Sequence, residues 1–192
     1  MTTAVYRSKI GIRILLGITF ILVSLSLCIT VKLYSDAARA LHQQLRVRLI
    51  HLASALASQI DVDQLQYIRN KKDEKSTPYL SLKAQLHKMQ TADSSVKYVY
   101  VMRRTSSNTL LTFIADNTNN RKEMSHVGDI YDSKKCPEML RGFIHPSADY
   151  ETTSDQWGEF LSGYAPIKDK DGVTKAIIGL DISVAYLRMQ QY

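Results

Sequence analysis

The sequence predicts an α+β protein: an antiparallel sheet and a long N-terminal helix that continues from one membrane-spanning segment. Three observations carry this reading. Ile14 to Val31 (ILLGITFILVSLSLCITV) is a run of 18 uncharged residues. Behind it, leucines and an isoleucine recur at helical spacing as far as Ile60. From Val96 onward the apolar period changes to two, the signature of half-buried strands.

The length suits one ordinary domain plus an anchor, and 45% hydrophobic residues are enough for a packed core. The formal charge of +7 would suit nucleic acid, but it is concentrated at one end. The first 39 residues hold 5 bases and 1 acid, which leaves 20 bases and 17 acids from Ala40 onward. An excess flanking an apolar run reflects membrane topology, and no nucleic-acid module is present. Cys28 lies inside the apolar run and Cys136 far from it. Neither CxxC nor a Cys/His spacing occurs, so no structural metal is expected. Cys136 reads as a free loop thiol, although Lys134 and Lys135 beside it would favour a thiolate.

Taken in order, the divisions are 1–13 as a cytoplasmic tail and 14–33 as a transmembrane helix. Residues 34–60 follow as a long membrane-proximal helix, and 61–192 as the rest of the domain. About 20 residues at a 1.5 Å rise cross a bilayer core. Arg7, Lys9 and Arg13 with no acid keep the N-terminus cytoplasmic, although Lys32 and Arg39 lie just past the other end. The rival is a cleaved signal peptide, but Ala38-Arg39-Ala40 lies too far beyond an apolar run that is itself too long for one. Leu27 before Cys28 argues against a lipoprotein.

Leu41, Leu45, Leu49, Leu52, Leu56 and Ile60 are spaced 4, 4, 3, 4 and 4, one stripe of a helix. That stripe serves packing on the chain's own domain, and with Ala53, Ala55 and Ala57 it would also admit a second copy, so a homodimer is expected. Asp61 ends the helix or caps a short one holding Leu65 and Ile68. Asn70 to Ser76 reads as an exposed charged loop. Thr77 as N-cap and Pro78 at the first position open a helix with Leu80, Leu82, Leu86 and Met89 as its apolar positions.

In the sheet region Val96, Tyr98, Tyr100 and Met102 alternate with Lys97, Val99, Val101 and Arg103. A polar turn from Thr105 to Asn108 leads into Thr109–Ala115, which ends at Asp116. The stretch Asn117 to Lys135 is irregular apart from a Gly128-Asp129 turn before Ile130 and Tyr131. Pro137 to Phe143 forms a short helix. Strands at Phe160–Ile167 and Ala176–Ile182 flank a turn at Lys168–Gly172. Ser183 caps a final helix from Val184 to Tyr192.

The order of these pieces carries a resemblance. VKYVYVM, a turn, TFIAD, GDIY and then SDQWGEFLSGYAPIKDKDGVTKAIIGLDIS resemble the Cache/PDC-type extracytoplasmic sensor domain, a PAS-like fold of bacterial membrane signal transducers. The resemblance covers Leu41 to Tyr192. It implies a central antiparallel sheet, the long helix on one face and a ligand pocket on the other. Together with the one apolar run and its basic flank, this gives the expectation of a single-pass protein of the inner (cytoplasmic) membrane with its sensor domain on the periplasmic side. Chemoreceptors, histidine kinases, diguanylate cyclases and sigma-regulating PP2C-type phosphatases use such domains as input regions, and the last look most similar. The family pattern continues into a return helix, a second span and an output module. This sequence stops at Tyr192, which reads as either a fragment or truncated reading frame, or a single-pass protein signalling through a partner.

By that resemblance the pocket takes Tyr98, Tyr100, Met102, Phe113, Asp116, Tyr131, Trp157, Ser162, Tyr164 and Asp181: aromatic walls with a few convergent polar groups. Arg103, or Lys175, would pair with the carboxylate of a small anionic metabolite such as a dicarboxylate or an amino acid. Asp181, set in AIIGLDI, would need a partner if buried and could hold a ligand amine. Each residue has a plainer role open to it: strand packing for the tyrosines, a structural plug for Trp157, a backbone cap for Asp181. His126 and His145 read as loop residues. Asp149, Glu151, Asp155 and Glu159 gather hard oxygen ligands, but without EF-hand spacing. GxSxG, HExxH and Walker A motifs are absent, so no enzyme and no cofactor are expected. The alternative to a sensor is the same fold as a ligand-free dimerisation or interaction module.

Overall fold

The computed structural model describes residues 2–120 and 122–189, with side chains from residue 11 to 186 apart from position 121. The chain forms two compact units, Met1–Gln44 and Leu45–Tyr192. Helix α1 runs Thr2–Ala57 and so belongs to both. In the first unit the stretch from Gly11 is long and apolar enough to cross a membrane by length and composition, and its apolar window is entirely exposed. Ile14, Phe20, Leu27 and Val31 lie open at its surface, which for a soluble helix would be a severe liability.

The second unit is a sheet with its longer helices on one face and a short helix on the other. Its strands are β1 (Val96–Arg104), β2 (Leu110–Asp116), β3 (Ile130–Asp132), β4 (Ser147–Ala148), β5 (Thr153–Asp155), β6 (Gly158–Lys168) and β7 (Thr174–Ser183). The path is β3-β2-β1-β7-β6-β4, with β5 also paired to β6. The short strand β3 lies within the stretch that reads as irregular, and β4 and β5 lie between the expected short helix and the Phe160 strand; at two or three residues all three are too short to show a period. Gly172 closes the β6–β7 hairpin at a φ of +78°, where a side chain would be strained, while Asp169 accepts the backbone N–H groups of Asp171 and Val173.

Alternation along β1, β6 and β7 divides the sheet cleanly. Val99, Val101, Leu161, Ile178, Leu180 and Ile182 face the C-terminal part of α1 and helix α3 (Thr77–Thr91), packing with Leu49, Ala53, Leu56, Leu82 and Leu86. Position 163 sets how near α1 comes. A Cβ built on Gly163 would stand 2.9 Å from the Cβ of Leu49 and 3.0 Å from its carbonyl oxygen, so only glycine lets the helix backbone rest on β6. The leucine stripe therefore packs from Leu45, half-buried, onward against the chain's own core, while Leu41 and Ala55 stay exposed.

Several local expectations change. Helix α1 stops at Ala57, and Asp61 caps the short α2 (Val62–Leu65) by accepting the Asp63 N–H. The charged stretch 70–76 is no open loop: Lys71–Lys75 is a turn of 3-10 helix closed by a reciprocal capping box between Asn70 and Asp73. Ser76, not Thr77, caps α3, accepting from the N–H of Tyr79. Helix α4 (Pro137–Arg141) follows a 3-10 turn at Ser133–Lys135, and α5 (Val184–Met189) starts where Ser183 accepts the Tyr186 N–H. The rest of the expected tail helix, residues 190–192, lies outside the described residues.

Candidate functional site

The face of the sheet away from α1 and α3 holds a cavity of ≈ 40 Å³. One water needs about 10–15 Å³ on this measure, so the space suits a small polar occupant. Strand parity supplies most of its wall: Tyr98, Tyr100 and Met102 from β1, Phe160, Ser162 and Tyr164 from β6, and Asp181 from β7. Phe113 and Asp116 come from β2 by a less regular route. Met102 pairs with Phe113, but Val101 pairs with Ala115, so Ile114 is an extra residue. That bulge turns Asp116 onto the same face as Phe113, which simple alternation would forbid.

Loops close the cavity. The hairpin between β5 and β6 carries Gln156 and Trp157 at its tip, where Asp155 accepts the Trp157 N–H at 2.8 Å. The Trp157 ring stacks on Tyr131 with centroids 6.2 Å apart, meets Phe113 edge-on at 5.9 Å, and donates its indole N–H to the carbonyl of Glu123. Trp157 thus both walls the cavity and pins the loop that follows β2. That loop is also held by Asp116, which accepts the Ser125 N–H at 2.7 Å, and by Glu74, which accepts the Val127 N–H and bonds the His126 ring.

The electrostatics are one-sided. Asp116, Glu123, Asp155 and Asp181 line the cavity, and among the described residues no Lys, Arg or His does. Asp116 is partly balanced by Lys83 at 3.4 Å, and Glu123 accepts the Tyr98 hydroxyl at 2.8 Å. Asp181 is buried and meets only neutral donors; the Tyr100 hydroxyl donates to it at 3.1 Å. Burial pushes Asp181 up to about 7, against hydrogen bonds from Ser162 and Tyr100. Behind the wall, Asp149 accepts the Tyr164 hydroxyl at 3.1 Å and is likewise pushed up to about 7 by burial, with Glu138 adding to the rise. Gly179 makes room for the Tyr100–Asp181 contact. A Cβ there would stand 2.3 Å from the Tyr100 ring, which lies flat across β7.

Of the residues named from sequence, Tyr98, Tyr100, Met102, Phe113, Asp116, Tyr131, Trp157, Ser162, Tyr164 and Asp181 line this cavity. Arg103 does not, which corrects the expectation for it. It shares the parity of Val99 and Val101, and its guanidinium donates to the carbonyls of Leu65 and Ile68 at 2.8 and 2.6 Å, on the other side of the sheet. There Arg103 lines an outer groove together with Arg69 and Lys175, and Lys175 pairs with Asp169 at 3.0 Å. The acids at 149–159 do not converge: Asp149 turns inward to Tyr164, Asp155 toward Trp157, and Glu159 accepts from Thr152. Among the described residues no group of three or more His, Cys, Asp or Glu is placed to hold a metal ion. Cys136 is buried beside the Tyr131 hydroxyl at 3.5 Å, and burial raises its thiol rather than lowering it.

Sequence reasoning missed Glu123, Ser125, Met139, Thr153, Asp155 and Phe160 in the wall. The parity of Phe160 with Ser162 and Tyr164 was available as a signal; the others sit on loops, a short strand and a short helix without a period.

No protein-family model and no curated protein matches the sequence. Solved structures do match the fold. The sensor domain of E. coli DcuS superposes with a TM-score of 0.55 at 12% identity, over 78% of this chain and 96% of that one. The ligand-binding domain of the Campylobacter jejuni chemoreceptor Tlp3 matches at 0.50 and 12% identity in complex with L-valine. With 4-methylisoleucine it matches at 0.51 and 13%. In both, the chain is covered over 82% of its length but spans little more than half of the Tlp3 domain, 58% and 57%. The chain thus has the α+β fold of the PDC/Cache-type sensor domains of bacterial signal transducers.

Proposed function

We propose that this chain is a membrane-anchored, non-catalytic sensor whose cavity takes a small molecule bearing an ammonium group, an amine or an amino acid. One observation carries the ligand class: among the described residues four carboxylates and no cationic side chain line the cavity. An anionic metabolite would enter against like charge, with hydroxyl donors but no described cation in the wall to offset it. An ammonium group gives Asp181 the partner that a buried carboxylate requires, and the aromatic rings around it favour a cation over their faces. The Tlp3 domain, in its complex with L-valine, holds a molecule of this kind. The exposed apolar segment of α1 supports a single-pass anchor. Arg7, Lys9 and Arg13 support a cytoplasmic N-terminus, which puts the sensor domain outside the inner membrane. The output belongs to a partner or a further module of the transducer: a phosphatase of the PP2C type, a histidine kinase or a diguanylate cyclase.

The aromatic rings leave only a small enclosed space, which favours a second reading: the ligand-free interaction module, as a homodimer or docked on another chain. One titration separates the two. The full chain in detergent is heated at pH 8 with n-butylamine, L-valine or succinate. A saturable rise in Tm with the first two and none with succinate, lost in Asp181→Asn, supports the amine sensor. A rise with succinate alone would overturn the ligand class, and no rise with any of the three at millimolar concentration leaves the interaction module.

A further inference from the structure

Resting on the sensor reading, we propose that Arg46 and the segment Ala148–Tyr150 form the link through which an occupant of the cavity acts on α1. The chain of contacts is continuous. Tyr164, in the cavity wall, donates its hydroxyl to the side chain of Asp149 at 3.1 Å. The Asp149 backbone is tied to the same strand, its N–H donating to the carbonyl of Ser162, another wall residue, at 2.9 Å. From the opposite side Arg46 of α1 reaches this segment with a fork: Nε donates to the Asp149 carbonyl at 2.9 Å and a terminal nitrogen to the Ala148 carbonyl at 3.0 Å. Its guanidinium also lies over the Tyr150 ring, 3.6 Å from the centroid.

Residues 148–150 are therefore gripped twice, by a side chain that lines the cavity and by a side chain of the helix. A fork to two successive carbonyls fixes direction as well as distance, which a single lysine contact would not. One turn further along α1, Gly163 leaves β6 in direct contact with Leu49, so no soft side-chain layer absorbs a shift of that strand. An occupant that draws on Ser162, Tyr164 or the neighbouring Asp181 must move or stiffen the segment, and the fork passes that change to the helix. The cavity's charge reaches the same place, because Asp149 and Asp181 repel each other and a cation beside Asp181 eases both. Arg46 is a positioning residue here; it touches no occupant.

The test uses the full chain in lipid nanodiscs and follows amide hydrogen exchange in residues 45–57 and 147–150. Addition of n-butylamine should change exchange in residues 45–57 at least about threefold in the wild type. In Arg46→Gln, with Arg46→Lys as the milder variant, n-butylamine should bind within about threefold of wild type by calorimetry while the change in residues 45–57 disappears. A change that persists in both variants overturns the link. If n-butylamine does not bind the wild type, the amine-sensor reading has failed, and a ligand-free comparison still decides the link. Tyr164→Phe, Arg46→Gln and the double variant should then show exchange effects in residues 147–150 that depart from multiplicativity by at least about threefold. Multiplicative effects would show that the two grips are independent and overturn it.

Discussion

On the helix-bearing face, β1, β6 and β7 present Val99, Val101, Leu161, Ile178 and Leu180; on the other, the same strands present Tyr98, Tyr100, Ser162, Tyr164 and Asp181. Each residue's neighbours in sequence lie on the opposite face, so the two environments differ through side-chain chemistry alone. The first face is apolar and closed, and the aliphatic layer is backed by two helices. The second holds hydroxyls and carboxylates paired to one another, with Asp181 kept near a pKa of about 7 by burial. The contrast teaches that one face supplies stability and the other holds groups whose ionisation is costly without a partner.

Four measurements would break or sharpen that contrast. Leu180→Ala on the closed face should lower unfolding free energy by about 2–5 kcal/mol in denaturant titration and leave amine affinity of the folded chain unchanged. A large affinity loss with little destabilisation would erase the division of labour.

The second concerns pH. Folded Asp181 and Asp149 hold their protons up to about 7, whereas an unfolded chain releases them near the ordinary value of 3.8. The folded state binds more protons between those limits, so this contribution is whole below about 3.8 and is lost as pH rises through about 7. The loss is on the order of up to 4 kcal/mol per acid, from the size of the shift. Melting scans from pH 5 to 8 should show stability falling, and Asp181→Asn and Asp149→Asn should each flatten the fall. A profile that rises over this range in the wild type would mean that both acids are ionised when folded.

Third, Asp181→Asn should weaken n-butylamine about 100-fold at pH 8, while wild-type affinity should drop roughly tenfold per pH unit below 7 as protons compete for the same carboxylate. Calorimetry at pH 5, 6, 7 and 8 reads both. A pH-independent affinity would remove Asp181 from the site.

The smallest effect belongs to Tyr100→Phe, which removes one hydrogen bond to Asp181 and keeps the ring. About 1 kcal/mol of stability should be lost at pH 8, where the carboxylate needs the donor most, and less at pH 5.

The sequence determined the parts governed by short-range periodicity. The uncharged run, the leucine stripe and the alternation of Tyr98, Tyr100 and Met102 with Val99 and Val101 each follow from backbone geometry repeating every 3.6 or 2 residues. The same alternation already separated Arg103 from the tyrosines, and applying it consistently would have kept Arg103 out of the pocket. The WGEFLSGYAPI and AIIGLDI runs placed Ser162, Tyr164 and Asp181 on the strand positions they occupy. Tertiary structure alone decided the rest. The bulge at Ile114 brings Asp116 to the cavity, and it depends on how β1 and β2 pair. Glu123 arrives on a loop held by Glu74, Asp116 and Trp157, and Asp155 at the end of a three-residue strand, neither of which leaves a local pattern. The charge of the wall was therefore hidden: charge along a chain says nothing of which carboxylates converge, and that convergence is what moves the proposal from an anionic ligand to one bearing an ammonium group.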